Sequence, residues 1–357
     1  MNRLEPIARR FAGGRRIGAV RPLGNGLIND TFLVETDGGN FVLQAINERV
    51  FPHPERIAVN LNLLSLHIGR QQASAVRLRI PRLLPAADGW HIRDDASGRV
   101  WRALEWIAPS ESRERLANPA QAGQVGAALG HFHSLCSAMA AETLHDTLPG
   151  FHIAPEYFRQ YQTALAQTPI LPASPDIQRC RDFIADFAAQ IGELEQAKHR
   201  GELAERVIHG DPKLNNFLFE PDSDRIIGLV DLDTVKPGLV HYDIGDCLRS
   251  CCHIPETNGF DLPRCRTILE HYLAEAGGFF TAADYRYLYP AIRLIPFELG
   301  LRFFTDYLQG NRYFKVDDAG QNLRRALAQF ELVRDIERQS GAIRELIAGL
   351  TPAAARA

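Results

Sequence analysis

The chain has 357 residues, 45% of them apolar and 23% charged, with a net charge of −3. Such a composition suits a globular protein long enough for two lobes, and without a dense Lys/Arg tract it excludes a nucleic-acid footprint. No apolar run approaches a membrane span, and Arg9-Arg10 leads into Phe-Ala-Gly-Gly rather than an export signal. The six cysteines are too sparse for a disulfide scaffold, so a cytoplasmic location with reduced thiols is expected. The run Cys247-x-x-x-Cys251-Cys252-His253 has no second half with ligand spacing, which favours buried thiols over zinc.

In chain order, three strands are predicted at about residues 17–22, 30–35 and 40–46, the last two joined by the turn Asp37-Gly38-Gly39. Pro54 then suits a first helical turn, and Ile57, Leu61, Leu64 and Ile68 repeat at helical spacing through Arg70. Two further strand-like runs lie near 89–93 and 100–107, giving five strands and one helix before Pro109. Beyond it Asn118-Pro119 caps and starts a helix with Val125, Leu129 and Phe132 on its buried stripe. Another helix is expected over 176–198, then a strand–loop–strand insert over 207–233. Helices resume from Pro263 and end in the amphipathic run 321–339, with an Ala-rich tail at 353–357.

The insert holds the unusual residues. In VIHGDPKLNNFLF (207–219), Asp211 and Asn216 stand five apart, the D-x-x-x-x-N spacing of a kinase catalytic loop. Asp231 follows at the exit of the apolar run Ile226-Ile227-Gly228-Leu229-Val230. Phosphoryl transfer needs such a set, because it runs on positioning and charge neutralisation. One carboxylate orients the attacking hydroxyl and takes its proton, while a carboxylate and an amide oxygen suit Mg²⁺, which prefers oxygen ligands. Lys213 can reach the transferred group as a point charge. The competing reading is a polar turn in which Asp211 and Asn216 satisfy backbone groups.

His209-Gly210-Asp211 with Asn216 and Val230-Asp231-Leu232-Asp233 resembles the aminoglycoside-phosphotransferase branch of the protein-kinase-like fold. Within it the chain is most similar to N-acetylhexosamine 1-kinases, through GNGLINDTFLVET (24–36), FVLQAIN (41–47), HGDPKLNNFLF (209–219), GLVDLDTVKPGLVHYDIGDCLRS (228–250) and FELGLRFFTDYLQGNRYFKV (297–316). The resemblance implies an α+β, bilobal fold. Residues 1–108 would form the nucleotide-binding lobe, with a five-stranded antiparallel sheet and one helix, and 109–357 a mainly helical lobe. It implies Asp211 as the catalytic base, helped by Lys213, with Asn216 and Asp231 as Mg²⁺ ligands and ATP as donor. It also implies a nucleotide cradle from Gly24, Gly26, Asn29, Thr31 and Gln44, with adenine against the connection at Glu105 and Ile107. His209 braces the loop in this family.

The resemblance is incomplete. Asn29 replaces the third glycine of the kinase G-x-G-x-x-G, and Gln44 stands where the third strand carries a Lys. The following helix offers Asn60 and Asn62 but no mid-length Glu, so the Lys–Glu pair is missing.

Asp231 is followed within about a dozen residues by His241-Tyr242-Asp243-Ile244-Gly245-Asp246, leaving no room for a peptide-holding activation segment. The acceptor should therefore be small. Asp243 and Asp246 either anchor this loop or lie solvated at a helix start. Glu298, Arg302 and Asp306 recur at i, i+4, i+8 on an apolar helix, a stripe facing either a cleft or an internal ion-pair network. Arg302 and Asp306, with Asp233, Arg249 and Tyr307, are the candidate acceptor wall, although Asp233 could equally cap the following turn. These features point to an ATP- and Mg²⁺-dependent kinase of a sugar's anomeric hydroxyl, with an N-acetylhexosamine the expected partner. The alternatives are a kinase of choline, an aminoglycoside or a similar alcohol, and a non-catalytic nucleotide-binding regulator.

Overall fold

The computed structural model describes residues 4–24, 28–72, 77–87, 89–168 and 174–355. Strands β1 (Ile17–Pro22), β2 (Asp30–Thr36) and β3 (Phe41–Ile46) form the expected antiparallel meander. Strand β3 then pairs with β6 (Val100–Glu105), not with a sequence neighbour. Both β4 (Leu83–Leu84) and β5 (His91–Arg93) pair with β6, so the sheet has six strands rather than five. The additional β4 is two residues long, too short for alternation to betray it.

Two helices serve this lobe instead of one. Short α1 (Glu5–Arg9) sets Ile7 and Ala8 against Phe41, Leu43 and Trp101 on one sheet face. Helix α2 (Pro54–Gln71) lies over the other, burying Ile57, Leu61, Leu64 and Ile68 in the core shared with the helical lobe. That stripe is what helical spacing demands.

The second lobe is helical. Helix α3 (Pro119–Cys136) starts where expected, with the Asn118 side chain accepting from the Gln121 N–H at 2.9 Å. Helix α4 (Ala154–Gln167) follows. The single helix expected over 176–198 is instead α5 (Pro175–Phe187), a 3₁₀ turn, and α6 (Glu193–His199). Gly192 precedes α6, and glycine is a poor residue inside a helix.

Between α6 and α7 (Val240–Cys252) comes the insert. Strand β8 (Arg206–Ile208) pairs with β11 (Lys236–Gly238), and β9 (Phe217–Phe219) lies between β10 (Ile226–Leu229) and β7 (Glu111–Ser112). Helices α8 (Leu262–Ala276), α9 (Ala282–Arg286), α10 (Leu288–Leu308), α11 (Gln321–Arg338) and α12 (Ser340–Leu350) complete the lobe. Helices α3 and α8 touch backbone to backbone. A Cβ on Gly126 would lie 2.1 Å from the Ile268 carbonyl oxygen, so only glycine permits this approach. The contact brings His133 of α3 and Tyr272 of α8 together behind the insert.

Candidate functional site

The polar insert is held from behind by a buried carboxylate. Both oxygens of Asp243 on α7 accept backbone N–H groups, His209 at 2.7 Å and Gly210 at 2.8 Å. His133 also meets Asp243 at 2.9 Å through Nε2, and its Nδ1 faces the Tyr272 hydroxyl at 2.8 Å. Burial raises the Asp243 pKa, but hydrogen bonding and attraction to His133, with the His209 N–H bond, prevail and leave it below the usual carboxylate range. Asp243 is therefore an anchor of the loop and not a solvated helix-start charge. Asp246, one turn on, accepts from Arg249 Nε at 2.8 Å.

His209 locks the loop in turn. Its Nε2 lies 3.0 Å from the Val230 carbonyl and its Nδ1 accepts from the Asp211 N–H at 3.2 Å. Both ring nitrogens are engaged, which leaves neither free for proton transfer. Gly210 has φ +88, and a Cβ there would sit 2.7 Å from the Thr234 carbonyl oxygen, so the turn into Asp211 requires glycine.

At the mouth of this frame Asp211, Lys213, Asn216 and Asp231 converge. Lys213 Nζ lies 2.5 Å from Asp211 Oδ2 and 3.9 Å from Asp231 Oδ2. Asn216 donates through Nδ2 to the Asp211 carbonyl at 2.7 Å, so its Oδ1 is left as an acceptor. Asp231 takes a left-handed backbone (φ 65) at the end of β10, which a short polar residue tolerates better than a bulky one. The enclosing walls raise its pKa, Lys213 opposes them, and Asp233 and Asp211 push it up again, with a net upward direction. Lys213 is driven the other way: burial lowers its pKa, but Asp211 and Asp231 hold it well above the ordinary lysine range. Two carboxylates against one ammonium leave negative charge that a divalent ion would relieve. Among the described residues no cluster of three or more His, Cys, Asp or Glu forms a metal cage by itself. The donor set fits a hard ion whose remaining ligands come from phosphates and water, as Mg²⁺ prefers. All six cysteines are free and buried.

The nucleotide side differs from expectation. Gly24 takes φ +68 and a Cβ there would meet nothing within 4 Å, whereas Gly26 lies outside the described residues. Asn29, Thr31 and Gln44 come together, but their side chains bond one another through a residue the sequence reading passed over, Arg102. Arg102 faces Gln44 across the β3–β6 ladder and donates to its Oε1 from Nε (3.1 Å) and Nη2 (2.7 Å). Gln44 donates onward to Thr31 Oγ1 at 3.1 Å. Arg102 also forms a buried ion pair with Asp233, whose other oxygen accepts from Asn29 Nδ2 at 2.9 Å. A lone Arg in the apolar strand VWRALEWI was the available signal. Glu105 sits at the end of β6, bonded to Arg82 at 3.0 Å, and Ile107 packs with Leu218, Ile227 and Val230 in a small apolar cluster between the lobes. Asn60, in mid-helix where a kinase carries its Glu, instead binds the carbonyls of His145 (2.8 Å) and Val235 (2.9 Å).

The expected acceptor wall needs correction. Asp233 is sealed between the lobes by Arg102 and Asn29, so it has no free oxygen for an acceptor. Asp306 accepts from the N–H groups of Arg312 (2.7 Å), Tyr313 (2.8 Å) and Phe314 (3.0 Å), and from Asn322 Nδ2 at 2.9 Å. It braces the loop after α10, a role invisible without that loop's path. Tyr307 lies against Phe304 with rings nearly parallel, 6.3 Å between centroids. Arg249 is held by Asp246 at the edge of the cluster. Arg302 stands in a box of rings, 5.0 Å from the centroids of Phe151 and Tyr157, 5.5 Å from Phe314 and 5.7 Å from Tyr313. Among the described residues its guanidinium has no carboxylate partner within ion-pair distance.

Glu298 resolves the question of the charged stripe. It pairs inside the protein with His152, a second residue the sequence did not reveal. His152 Nδ1 lies 3.1 Å from Glu298 Oε1, and Nε2 lies 2.6 Å from the Gly210 carbonyl oxygen. Burial lowers the His152 pKa, but the Glu298 carboxylate and the Gly210 carbonyl outweigh it and raise it.

The sequence matches the phosphotransferase enzyme family over residues 19–287. A homoserine kinase from Gluconacetobacter diazotrophicus is 26% identical over 270 residues, 71% of each chain. In fold the chain is similar to a microcompartment-associated aminopropanol kinase, with a TM-score of 0.65 at 18% identity, covering 95% of this chain and 98% of that one. It is also similar to an aminoglycoside phosphotransferase from Alicyclobacillus acidocaldarius, with a TM-score of 0.62 at 14% identity, covering 96% and 95%. No helix among the described residues is long and apolar enough to cross a membrane.

Proposed function

The chain belongs to the phosphotransferase enzyme family, and from that premise we propose that it transfers the γ-phosphoryl group of Mg²⁺-bound ATP to the anomeric hydroxyl of a small sugar, an N-acetylhexosamine. The convergence of Asp211, Lys213, Asn216 and Asp231 at the loop mouth carries the reading. Asp211 Oδ2 is held by Lys213, so Oδ1 is the atom that takes the acceptor's proton as the hydroxyl attacks. Lys213 holds the Asp211 carboxylate in place and offsets charge on the transferred group. Asn216 Oδ1 and the Asp231 carboxylate would hold Mg²⁺, whose charge balances the phosphates.

A small acceptor is supported by the short path after Asp231. One 3₁₀ turn (Leu232–Thr234) and β11 lead directly into α7, with no segment to hold a peptide. A neutral, oxygen-rich acceptor is supported by Arg302, which would repel choline or an aminoglycoside but donates well to sugar hydroxyls and an acetamido carbonyl. The aromatic rings around it suit the apolar face of a pyranose. A second reading is favoured by the name of the curated relative: homoserine also carries an alcohol, and its carboxylate could pair with Arg302 or Arg249.

The test is ADP release with Mg²⁺-ATP across N-acetylhexosamines, free hexosamines, neutral hexoses, homoserine, choline and aminoglycosides, with ³¹P NMR to locate the phosphate. Phosphate on C1 of an N-acetylhexosamine is expected. Preferential turnover of homoserine would replace the sugar with the amino acid, and turnover of no alcohol would end the kinase reading.

A further inference from the structure

The strand position that should bear a phosphate-binding cation holds neutral Gln44, and the helix position that should pair with it holds Asn60, engaged with His145 and Val235. A nucleotide triphosphate brings several negative charges to this end of the cleft, and a site without a cation there leaves them uncompensated. The neighbouring strand supplies one. Arg102 is directly opposite Gln44 in the β3–β6 register, so both side chains project from the same face of the sheet.

The guanidinium is already oriented. Gln44 Oε1 receives Nε and Nη2, and the Asp233 carboxylate receives Nη2. Gln44 is itself fixed by Thr31 on β2, and Asp233 by Asn29 just before it. Asp233 lies two residues past Asp231, which ties the guanidinium to the same turn that carries the Asp231 carboxylate. Yet Arg102 is only 3% exposed, and its Nη1 is buried without a hydrogen-bond partner. A guanidinium offers five donors, and an unsatisfied buried one is costly unless a ligand completes it.

We propose that Arg102 takes over the role of the missing β3 lysine, binding the α- and β-phosphates of the nucleotide through Nη1, while Gln44 and Asp233 position it. The ion pair has thus moved one strand sideways: Arg102–Asp233 replaces a lysine–glutamate pair, and the carboxylate comes from the loop after Asp231 instead of α2. Nη1 is sealed from water, so phosphate reaches it by opening the Asn29–Asp233 contact, which is made by side chains alone, while the Arg102–Asp233 pair stays in place. The inference rests on the nucleotide-dependent reading above but is independent of the acceptor.

The test compares binding of Mg²⁺-ADP and of adenosine by titration calorimetry in the wild type, Arg102→Gln, Arg102→Lys, and the exchange variant Gln44→Lys/Arg102→Gln. Losing a charge-assisted bond to phosphate should weaken ADP about 10–100-fold in Arg102→Gln, with adenosine changed less than about twofold, the level of an incidental effect. The exchange variant, which returns the cation to β3 within reach of Asp233, should regain most of the ADP affinity, and Arg102→Lys should fall between. Equal losses for ADP and adenosine would make Arg102 a strut between the lobes and overturn the assignment, as would unchanged ADP binding. Should Arg102→Gln fail to fold, Arg102→Lys and the exchange variant carry the same comparison. A wild type that binds ADP no better than adenosine would instead refute the nucleotide reading itself.

Discussion

Asp243 is the residue on which the loop geometry depends most, and Asp243→Asn tests that with almost no change in volume. In the wild type its two oxygens receive the N–H groups of His209 and Gly210 and one ring nitrogen of His133. Asparagine offers one acceptor oxygen, and its NH₂ then confronts a backbone donor. One buried N–H is left unsatisfied, which costs about 1–3 kcal/mol, and the remaining bonds lose their charge assistance at about 1 kcal/mol each. The sum is about 3–5 kcal/mol, a large share of the roughly 5–15 kcal/mol that ordinarily holds a domain together. Urea unfolding at pH 7 should show that loss. The kcat should also drop about 10–100-fold, because Gly210 directly precedes Asp211 and small misplacements of a reacting group are expensive. The pH profile adds a signature. The Asp243 pKa is lowered in the folded state, so its stabilisation is present above the unfolded carboxylate value and is lost as pH falls through the folded one. Asp243→Asn should therefore flatten the acid limb of the stability curve. A variant as stable and as active as the wild type at pH 7 would refute the anchoring role.

Asp211→Asn should lose roughly 10²–10⁴ in kcat while nucleotide affinity survives, and near-normal turnover would remove Asp211 as the base. Arg302→Met should raise the KM for a sugar acceptor about tenfold or more with the ATP KM unchanged, as expected from losing a charged hydrogen bond; steady-state kinetics with each substrate varied separates the two. His152 gives a pH effect of opposite sign to Asp243. Its folded pKa is raised by Glu298, so its contribution is complete below about 6.5, the unfolded value, and disappears as pH rises through the folded value. Glu298→Gln should abolish that alkaline loss in thermal unfolding followed from pH 6 to 9, and an unchanged slope would show that the pair does not titrate there.

Much of this protein was legible in one dimension because it depends on local physics. The β1–β3 meander announced itself by alternation and a Gly-Gly turn, α2 by apolar spacing, and α3 by its Asn-Pro start. Asp211, Asn216 and Asp231 stood out as candidates by their spacing around one loop, and the structure brings them together. Where a residue's environment is made by distant chain, the reading failed. Asp233 and Asp306 were candidate acceptor groups, yet one is sealed by Arg102 and Asn29 and the other by the N–H groups of residues 312–314. Arg102 and His152 drew no notice, since neither belongs to a motif.

The sequence by itself determined the main strands and helices of the first lobe and pointed to a candidate reactive set, because hydrophobic periodicity and short-range spacing are properties of neighbouring residues. Only the tertiary structure decided which charges are spent on holding the molecule together and which remain for chemistry. That division depends on what each buried charge meets across the fold, and a charge withdrawn from water must find a partner wherever the chain brings one.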